Sequence, residues 1–316
     1  MTQTKIGDNN PLIGPVFRPA LSKPKLEFSM SATLDETVAA LRSQIDEIRA
    51  ITNTEWIESL EDRKLKELEF HDRDRDRKTE AKEGSDTYEK FYGNRKYYVA
   101  TASSRQYTED WISKHARDKV FLDYACGNGA NAIAAARAGA KIALGLDISP
   151  VSVSNATDDA AKAGVRERTE FFQADCENTK LPTNSVDTII CSGMLHHLDL
   201  SYAFPELRRI LKPGGRLLAV EALDYNPAIK LYRMMTPDMR TEWEKAHILS
   251  LADLRFAKRF FDVGEVRYWH ILAIAAAKAG PVAPLLHQLD KVLVRVPGVQ
   301  LMAWIFTFEL MKQKSG

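Results

Sequence analysis

The run VFLDYA at 120–125 is β-branched and aromatic, and after Asp123 it gives way to the small residues Ala125, Gly127 and Gly129 ahead of the helix-forming segment NAIAAARAGA. Small residues at a strand-to-helix bend let the backbone turn sharply, and they let a ligand approach the helix N-terminus with no Cβ in the way. An acid at the strand tip suits a ligand that carries cationic groups and repels a pyrophosphate. Asp147 and Asp175 repeat the arrangement at the ends of two later apolar runs. Taken alone, Gly127-x-Gly129-x-x-Ala132 also satisfies the dinucleotide fingerprint, with Asp147 about 20 residues downstream as its ribose-binding acid. A nicotinamide-dependent oxidoreductase is therefore the alternative reading. The three acids, together with the basic helix, Pro-Gly-Gly turn and apolar strand of LRRILKPGGRLLAVEA, favour methyl transfer over hydride transfer.

A second group follows the apolar run VDTIICSG at 186–193, where Ser192 leads through Gly193, Met194 and Leu195 to His196 and His197. Glu221 ends the next apolar run. In open α/β sheets ligands bind at the carboxyl ends of strands, so an imidazole and a carboxylate from neighbouring strands would face one acceptor. His196 or His197 is expected to act as general base, with Glu221 orienting it or binding the acceptor. The plainer use of one of the histidines is to satisfy backbone groups.

These residues need a framework of short apolar strands alternating with helices, which implies a parallel sheet built from βαβ units. The strands are read at 120–125, 141–148, 169–175, 186–193 and 215–222, with two more at 266–275 and 301–311. The first 30 residues carry Pro11, Pro15, Pro19 and Pro24 and read as an extended or disordered arm. Thr33 and Glu36 form a capping box, followed by Leu34, Val38, Leu41, Ile45 and Ile48 at helical spacing. The stretch from Trp56 to Lys82, with DRDRDRK at 72–78, reads as a solvated helical face, although Phe70 and His71 interrupt the charge. The segment YEKFYGNRKYY at 88–98, with Tyr97, is either a lid over a ligand or an apolar edge on the sheet.

Residues 119–222 resemble the class I S-adenosylmethionine-dependent methyltransferases, in particular the ubiquinone and menaquinone C-methyltransferase-like group, whose LDxxCGxG, DxS, AD, LHH and LKPGG landmarks recur here in order. The resemblance covers about a third of the chain; Ala125 stands where the family usually has glycine. It implies a doubly wound, mostly parallel seven-stranded α/β sheet with an N-terminal helical extension. The expected organisation is an arm at 1–30, a helical extension or lid at 31–110 and a methyltransferase domain at 111–316 with insertions at 224–262 and 276–300. The implied cofactor is S-adenosyl-L-methionine. Asp123, Ala125, Gly127 and Gly129 would border its methionine part, Asp147 its ribose, and Ile148, Asp175 and Cys176 its adenine, with Ser192 beside them.

The implied activity is methylation of an O, N or C atom of a small molecule, such as a natural product, a quinone or a lipid-like acceptor. Phe70, His71, Tyr97, Arg233 and Arg240 are the substrate-side candidates, the arginines because a guanidinium fork suits an acidic or phosphate-bearing acceptor. Met234, Met235 and Met239 would supply a plastic apolar wall. A cofactor-binding partner subunit without turnover is the non-catalytic alternative, and the intact acidic set argues against it.

Lys and Arg number 44 against 43 Asp and Glu, a formal charge of +1, so there is no global field to hold nucleic acid. Cys126, Cys176 and Cys191 show no CxxC spacing, so no metal site is expected and a reduced, cytoplasmic location is. No stretch approaches a membrane span. Leu285, Leu286, Leu289, Val292 and Leu293 lie at helical spacing near Lys291 and Arg295, a pattern suited to core packing, a homodimer contact or peripheral docking on a membrane.

Overall fold

In the computed structural model, which describes residues 33–77, 100–273 and 282–314, the apolar runs become seven strands. These are β1 (Val120–Tyr124), β2 (Ile142–Asp147), β3 (Thr169–Gln173), β4 (Val186–Ser192), β5 (Leu211–Ala222), β6 (Asp262–Trp269) and β7 (Ile305–Met311). They form one sheet in the order β3-β2-β1-β4-β5-β7-β6. β1 to β5 run parallel, and β7 enters antiparallel between β5 and β6. The arm at 1–30 and the aromatic segment with Tyr97 lie outside the described residues.

Every residue of β1 and β2 is buried, as parallel strands covered on both faces require. Alternate residues feed two cores. Leu122, Tyr124 and Leu144 face one that receives α1 (Leu34–Arg49) and, later in the chain, Phe204 and Leu207. Phe121, Ala143 and Ile190 face the other, filled by Trp111 and Ile112 and by Ala132, Ala136, Ala156 and Ala160. The α1 stripe lies on the sheet: Leu41, Ile45 and Ile48 are fully buried, a gain of about 2 kcal/mol each. The Thr33–Glu36 capping box starts that helix as expected.

α1 leads to α2 (Asn53–Ser59) and α3 (Asp62–Arg75); α4 (Ala102–His115) precedes β1. α5 (Ala130–Arg137) and α6 (Pro150–Lys162) follow β1 and β2, and α7 (Leu200–Ile210) precedes β5. Between β5 and β6 stand α8 (Pro227–Met235), α9 (Glu242–Ala246) and α10 (Leu251–Ala257), with α11 (Ala283–Leu293) before β7.

Three strand boundaries differ from the sequence reading. β5 begins at Leu211, because that residue pairs with Val186 ahead of a bulge that holds the Pro-Gly-Gly turn. β6 spans 262–269 rather than 266–275: as an edge strand it is half polar and half exposed, which hides it, and His270 at φ +65° ends it. β7 starts at Ile305, since Val299–Met302 forms a short 3₁₀ turn. Among the described residues no helix is long and apolar enough to cross a membrane.

Candidate functional site

The carboxyl ends of β1, β2, β3 and β4 open on one cavity, roofed by α3. Its walls include Ala125, Gly127, Asp147, Ile148, Asp175, Cys176, Ser192 and His197, and its roof is Arg63, Lys64, Glu67, His71 and Arg75. The space amounts to about 670 Å³ including its solvent-facing mouth. Most of the sequence-derived cofactor residues therefore meet in one place.

Their geometry explains the motif. The bend after β1 is left-handed at Ala125 (φ +56°) and Gly127 (φ +50°). Asp147 holds that bend, its two oxygens accepting from the Gly127 N–H at 2.8 Å and the Ser149 N–H at 2.9 Å. Burial pushes the Asp147 carboxyl upward in pKa, against the pull of those two backbone bonds. A ligand offering hydroxyl donors to the remaining lone pairs would favour its charged form.

Two expected cofactor residues are turned elsewhere. Asp123 is 1% exposed and does not line the cavity; it accepts from Asn131 Nδ2 and the Ala132 N–H, both at 3.2 Å, and so caps α5. Burial raises its pKa to about 7, the bonds from Asn131 and Ala132 opposing. Gly129 serves packing rather than ligand approach: a Cβ there would fall 2.7 Å from Phe171 and 2.8 Å from Ala156.

On the adenine side, Cys176 contributes backbone and a buried thiol whose pKa is pushed well up by burial. Its carbonyl accepts from the Tyr124 hydroxyl. Asp175 is already engaged, with Oδ2 2.7 Å from Lys64 Nζ and Oδ1 accepting from the Glu177 N–H. Arg63 bonds to Glu177 at 2.6 Å and to the His197 carbonyl at 3.1 Å.

Helix α3 thus overturns the expectation of a solvated charged face. Arg63, Lys64 and Glu67 turn inward, where Asp175 and Glu177 of the segment after β3 compensate the two cations, while Lys66 and Arg73 stay exposed. Only LEFHD, where Phe70 and His71 break the charge, signalled this in the sequence.

The two adjacent histidines, with ring centroids 4.4 Å apart, bond to different carboxylates. Glu221, 1% exposed, accepts from the Met194 and Leu195 N–H groups at 2.9 and 2.8 Å and lies 2.7 Å from His196 Nδ1. Glu221 therefore positions the loop and the imidazole, and has no oxygen left for an acceptor. His196 Nε2 faces Glu244 at 3.9 Å. His197 bonds through Nδ1 to Glu67 at 2.9 Å; burial opposes its charge, but Glu67 and then Glu244 hold its pKa above the ordinary value. His71, close by, is driven well below the ordinary value by burial, then by His197 and Arg75. Glu67, Thr241 and Glu244 escaped the sequence reading, because no local spacing links them to the histidines.

The remaining substrate-side candidates do not converge. Phe70 packs against His71 and under Arg73, off the cavity. Arg240 is turned inward, donating to the Thr236 carbonyl at 3.0 Å with Nε 3.5 Å from Glu244, and Arg233 lies 3.5 Å from Asp224. Met234 and Met235 face solvent and Met239 is buried, so the three do not make one wall. On α11, Leu285, Leu289 and Val292 are exposed rather than packed in the core.

Residues 122–219 match a family profile described as a methyltransferase domain. Residues 122–219 are thus a methyltransferase domain, on a sheet with the class I methyltransferase fold. Such a domain implies S-adenosylmethionine, and the Asp147-braced bend with an open left-handed backbone fits that group. The antiparallel β7 also separates this sheet from the six-stranded dinucleotide-binding arrangement.

Over 141 residues the chain is 32% identical to the ribosomal protein L11 methyltransferase of Pasteurella multocida, covering 42% of this chain and 46% of that one. It is 39% identical over 97 residues to the 27-O-demethylrifamycin SV methyltransferase of Amycolatopsis mediterranei, covering 30% and 36%. The chain thus spans less than half the length of these curated relatives. In fold it resembles geranyl diphosphate C-methyltransferase from Streptomyces coelicolor, at TM-score 0.55 and 14% identity, covering 80% of this chain and 98% of that one. Magnesium protoporphyrin IX methyltransferase from Synechocystis gives TM-score 0.53 at 17% identity, covering 79% and 100%.

Proposed function

We propose that this chain transfers the methyl group of S-adenosylmethionine to an O, N or C atom of a small molecule. The observation that carries the reading is Asp147, a buried carboxylate at the tip of β2 that braces the left-handed bend and still faces the cavity. When bound, S-adenosylmethionine supplies an electrophilic methyl carbon on a sulfonium. Asp147 accepts from the ribose hydroxyls, and Ile148 packs on the adenine. Asp175 accepts from the adenine amino group once Lys64 withdraws, beside the Cys176 N–H. Ala125, Gly127 and Ser192 line the remaining path, and α3 excludes water.

Methyl transfer from a sulfonium is an in-line displacement, so alignment supplies much of the acceleration. Where the acceptor must lose a proton, His196 is the group assigned to take it, because Glu221 fixes its ring through Nδ1 and leaves Nε2 turned away from Glu221. His196 does not itself line the cavity, as the adjacent His197 does, so its Nε2 must reach the acceptor at the edge of that wall. The L11 methyltransferase and rifamycin methyltransferase matches support the cofactor half of the reading and differ in acceptor. The test is calorimetry with S-adenosylhomocysteine, then incubation with methyl-labelled cofactor and cell extract, separating labelled small molecules from labelled protein. Label confined to protein would replace the small-molecule acceptor. No heat with S-adenosylhomocysteine on folded protein would remove the reading.

A further inference from the structure

Glu67 and His71 stand four residues apart on α3, hence on one face, and that face meets His197 of the turn after β4. The ligating atoms of the three lie within 4.8 Å of one another. Glu67 Oε2 is 2.9 Å from His197 Nδ1 and 3.7 Å from His71 Nε2. The two imidazoles meet edge to face with centroids 4.8 Å apart. Glu67 is only 5% exposed, and its other oxygen accepts from the Thr241 hydroxyl at 2.6 Å. At 3.7 Å His71 makes no hydrogen bond to Glu67, so hydrogen bonding alone does not account for gathering all three groups.

We propose that Glu67, His71 and His197 bind a divalent first-row transition-metal ion, which ties α3 to the loop after β4. Two imidazoles and a carboxylate suit Zn²⁺, Mn²⁺ or Fe²⁺, whereas Mg²⁺ and Ca²⁺ prefer oxygen ligands. Thr241 orients the carboxylate. Three protein ligands leave open positions for a further donor. All three residues line the cavity, so that donor comes from its contents. Resting on the methyltransferase reading, it is an oxygen of the acceptor.

A second triad, His196, His197 and Glu244, also has its ligating atoms within 4.8 Å. It is the poorer site: Glu221 already holds His196 Nδ1, and the Arg240 cation lies 3.5 Å from Glu244 and repels an ion there.

The test uses untagged full-length protein freed of metal by a chelator and titrated with Co²⁺, followed by calorimetry and visible absorption. S-adenosylhomocysteine binding is measured in parallel on every variant. One Co²⁺ per chain is expected, weakened about 100-fold or more in His71→Ala and Glu67→Gln and about tenfold in Thr241→Val. Glu244→Gln keeps wild-type Co²⁺ affinity. Wild-type protein that binds S-adenosylhomocysteine but no Co²⁺ would overturn the site. So would loss of Co²⁺ in Glu244→Gln with retention in His71→Ala. Co²⁺ binding as described without S-adenosylhomocysteine binding keeps the metal site and sinks the methyltransferase reading instead.

Discussion

Lys64 Nζ lies 2.7 Å from Asp175 Oδ2 and 2.8 Å from Glu177 Oε2, so a cation of the N-terminal helices occupies the acid expected to hold the adenine amino group. Burial lowers the Lys64 pKa, but Asp175 and Glu177 more than offset this and it ends raised. A ligand that needs Asp175 must first displace the ammonium. Lys64→Met removes that cost and leaves Asp175 uncompensated in the free protein, and both effects favour the ligand. S-adenosylhomocysteine should bind about tenfold more tightly, roughly 1.4 kcal/mol. The free variant should lose about 2 kcal/mol of stability, since the lost bonds are to charged groups. Calorimetry and denaturant unfolding check the two halves, and weaker binding would mean that Lys64 itself contacts the ligand.

Glu221 and His196 give a prediction of the opposite kind, in which turnover moves and binding does not. In Glu221→Gln the amide oxygen can still accept from the Met194 and Leu195 N–H groups, so the loop keeps its shape. The amide nitrogen then donates to His196 Nδ1, which forces the proton onto Nε2, the wrong tautomer for a base. For an acceptor that must be deprotonated, kcat should fall on the order of 100-fold or more. The affinity for S-adenosylhomocysteine should stay within about twofold. A parallel loss of affinity would show instead that Glu221 acts on the cofactor pocket.

How much of this was legible beforehand depends on where each residue's partner lies in the chain. Strands β1 to β4 and the small-residue bend are encoded locally, by apolar runs and small residues within a few positions, and they stand within two residues of where the sequence reading put them, whereas the bounds of β5, β6 and β7 shift. Asp123 and Gly129 were found by motif but carry other roles, because a motif specifies residue type and not the direction of a side chain. Helix α3 was misread because its charges look solvated until Asp175, Glu177 and Thr241 arrive from more than a hundred residues away.

The bend itself separates two small residues that look alike in the sequence. Gly129→Ala places a Cβ 2.7 Å from Phe171 at a backbone φ of +76°, adding overpacking to left-handed strain. It should cost about 2–4 kcal/mol and lower the unfolding midpoint accordingly. Ala125 already sits at φ +56°. Ala125→Gly relieves roughly 1 kcal/mol of strain, but it loosens the unfolded chain by about 0.4–1 kcal/mol, so stability should stay within about 1 kcal/mol of wild type. Denaturant midpoints at constant slope decide both, and a strongly destabilised Ala125→Gly would mean that the methyl group is needed for packing.

Asp123 makes stability depend on pH in a direction unusual for a carboxylate. Its folded pKa is raised to about 7, from an ordinary value of 3.8, chiefly by burial. Between those limits the folded protein keeps a proton that the unfolded chain has released, so stability falls as pH rises. The contribution is fully present below the ordinary value and fully lost once pH passes the folded one. Asp123→Asn cannot ionise; its amide oxygen keeps the Ala132 N–H, and its NH2 then faces the Asn131 side chain, whose amide turns to present its oxygen. The variant should therefore gain on wild type as pH climbs from 4.5 to 8.5, reaching on the order of a few kcal/mol. Unfolding free energies measured across that range give the comparison. A difference that stays flat with pH would mean that Asp123 is charged throughout and stabilised by its two donors.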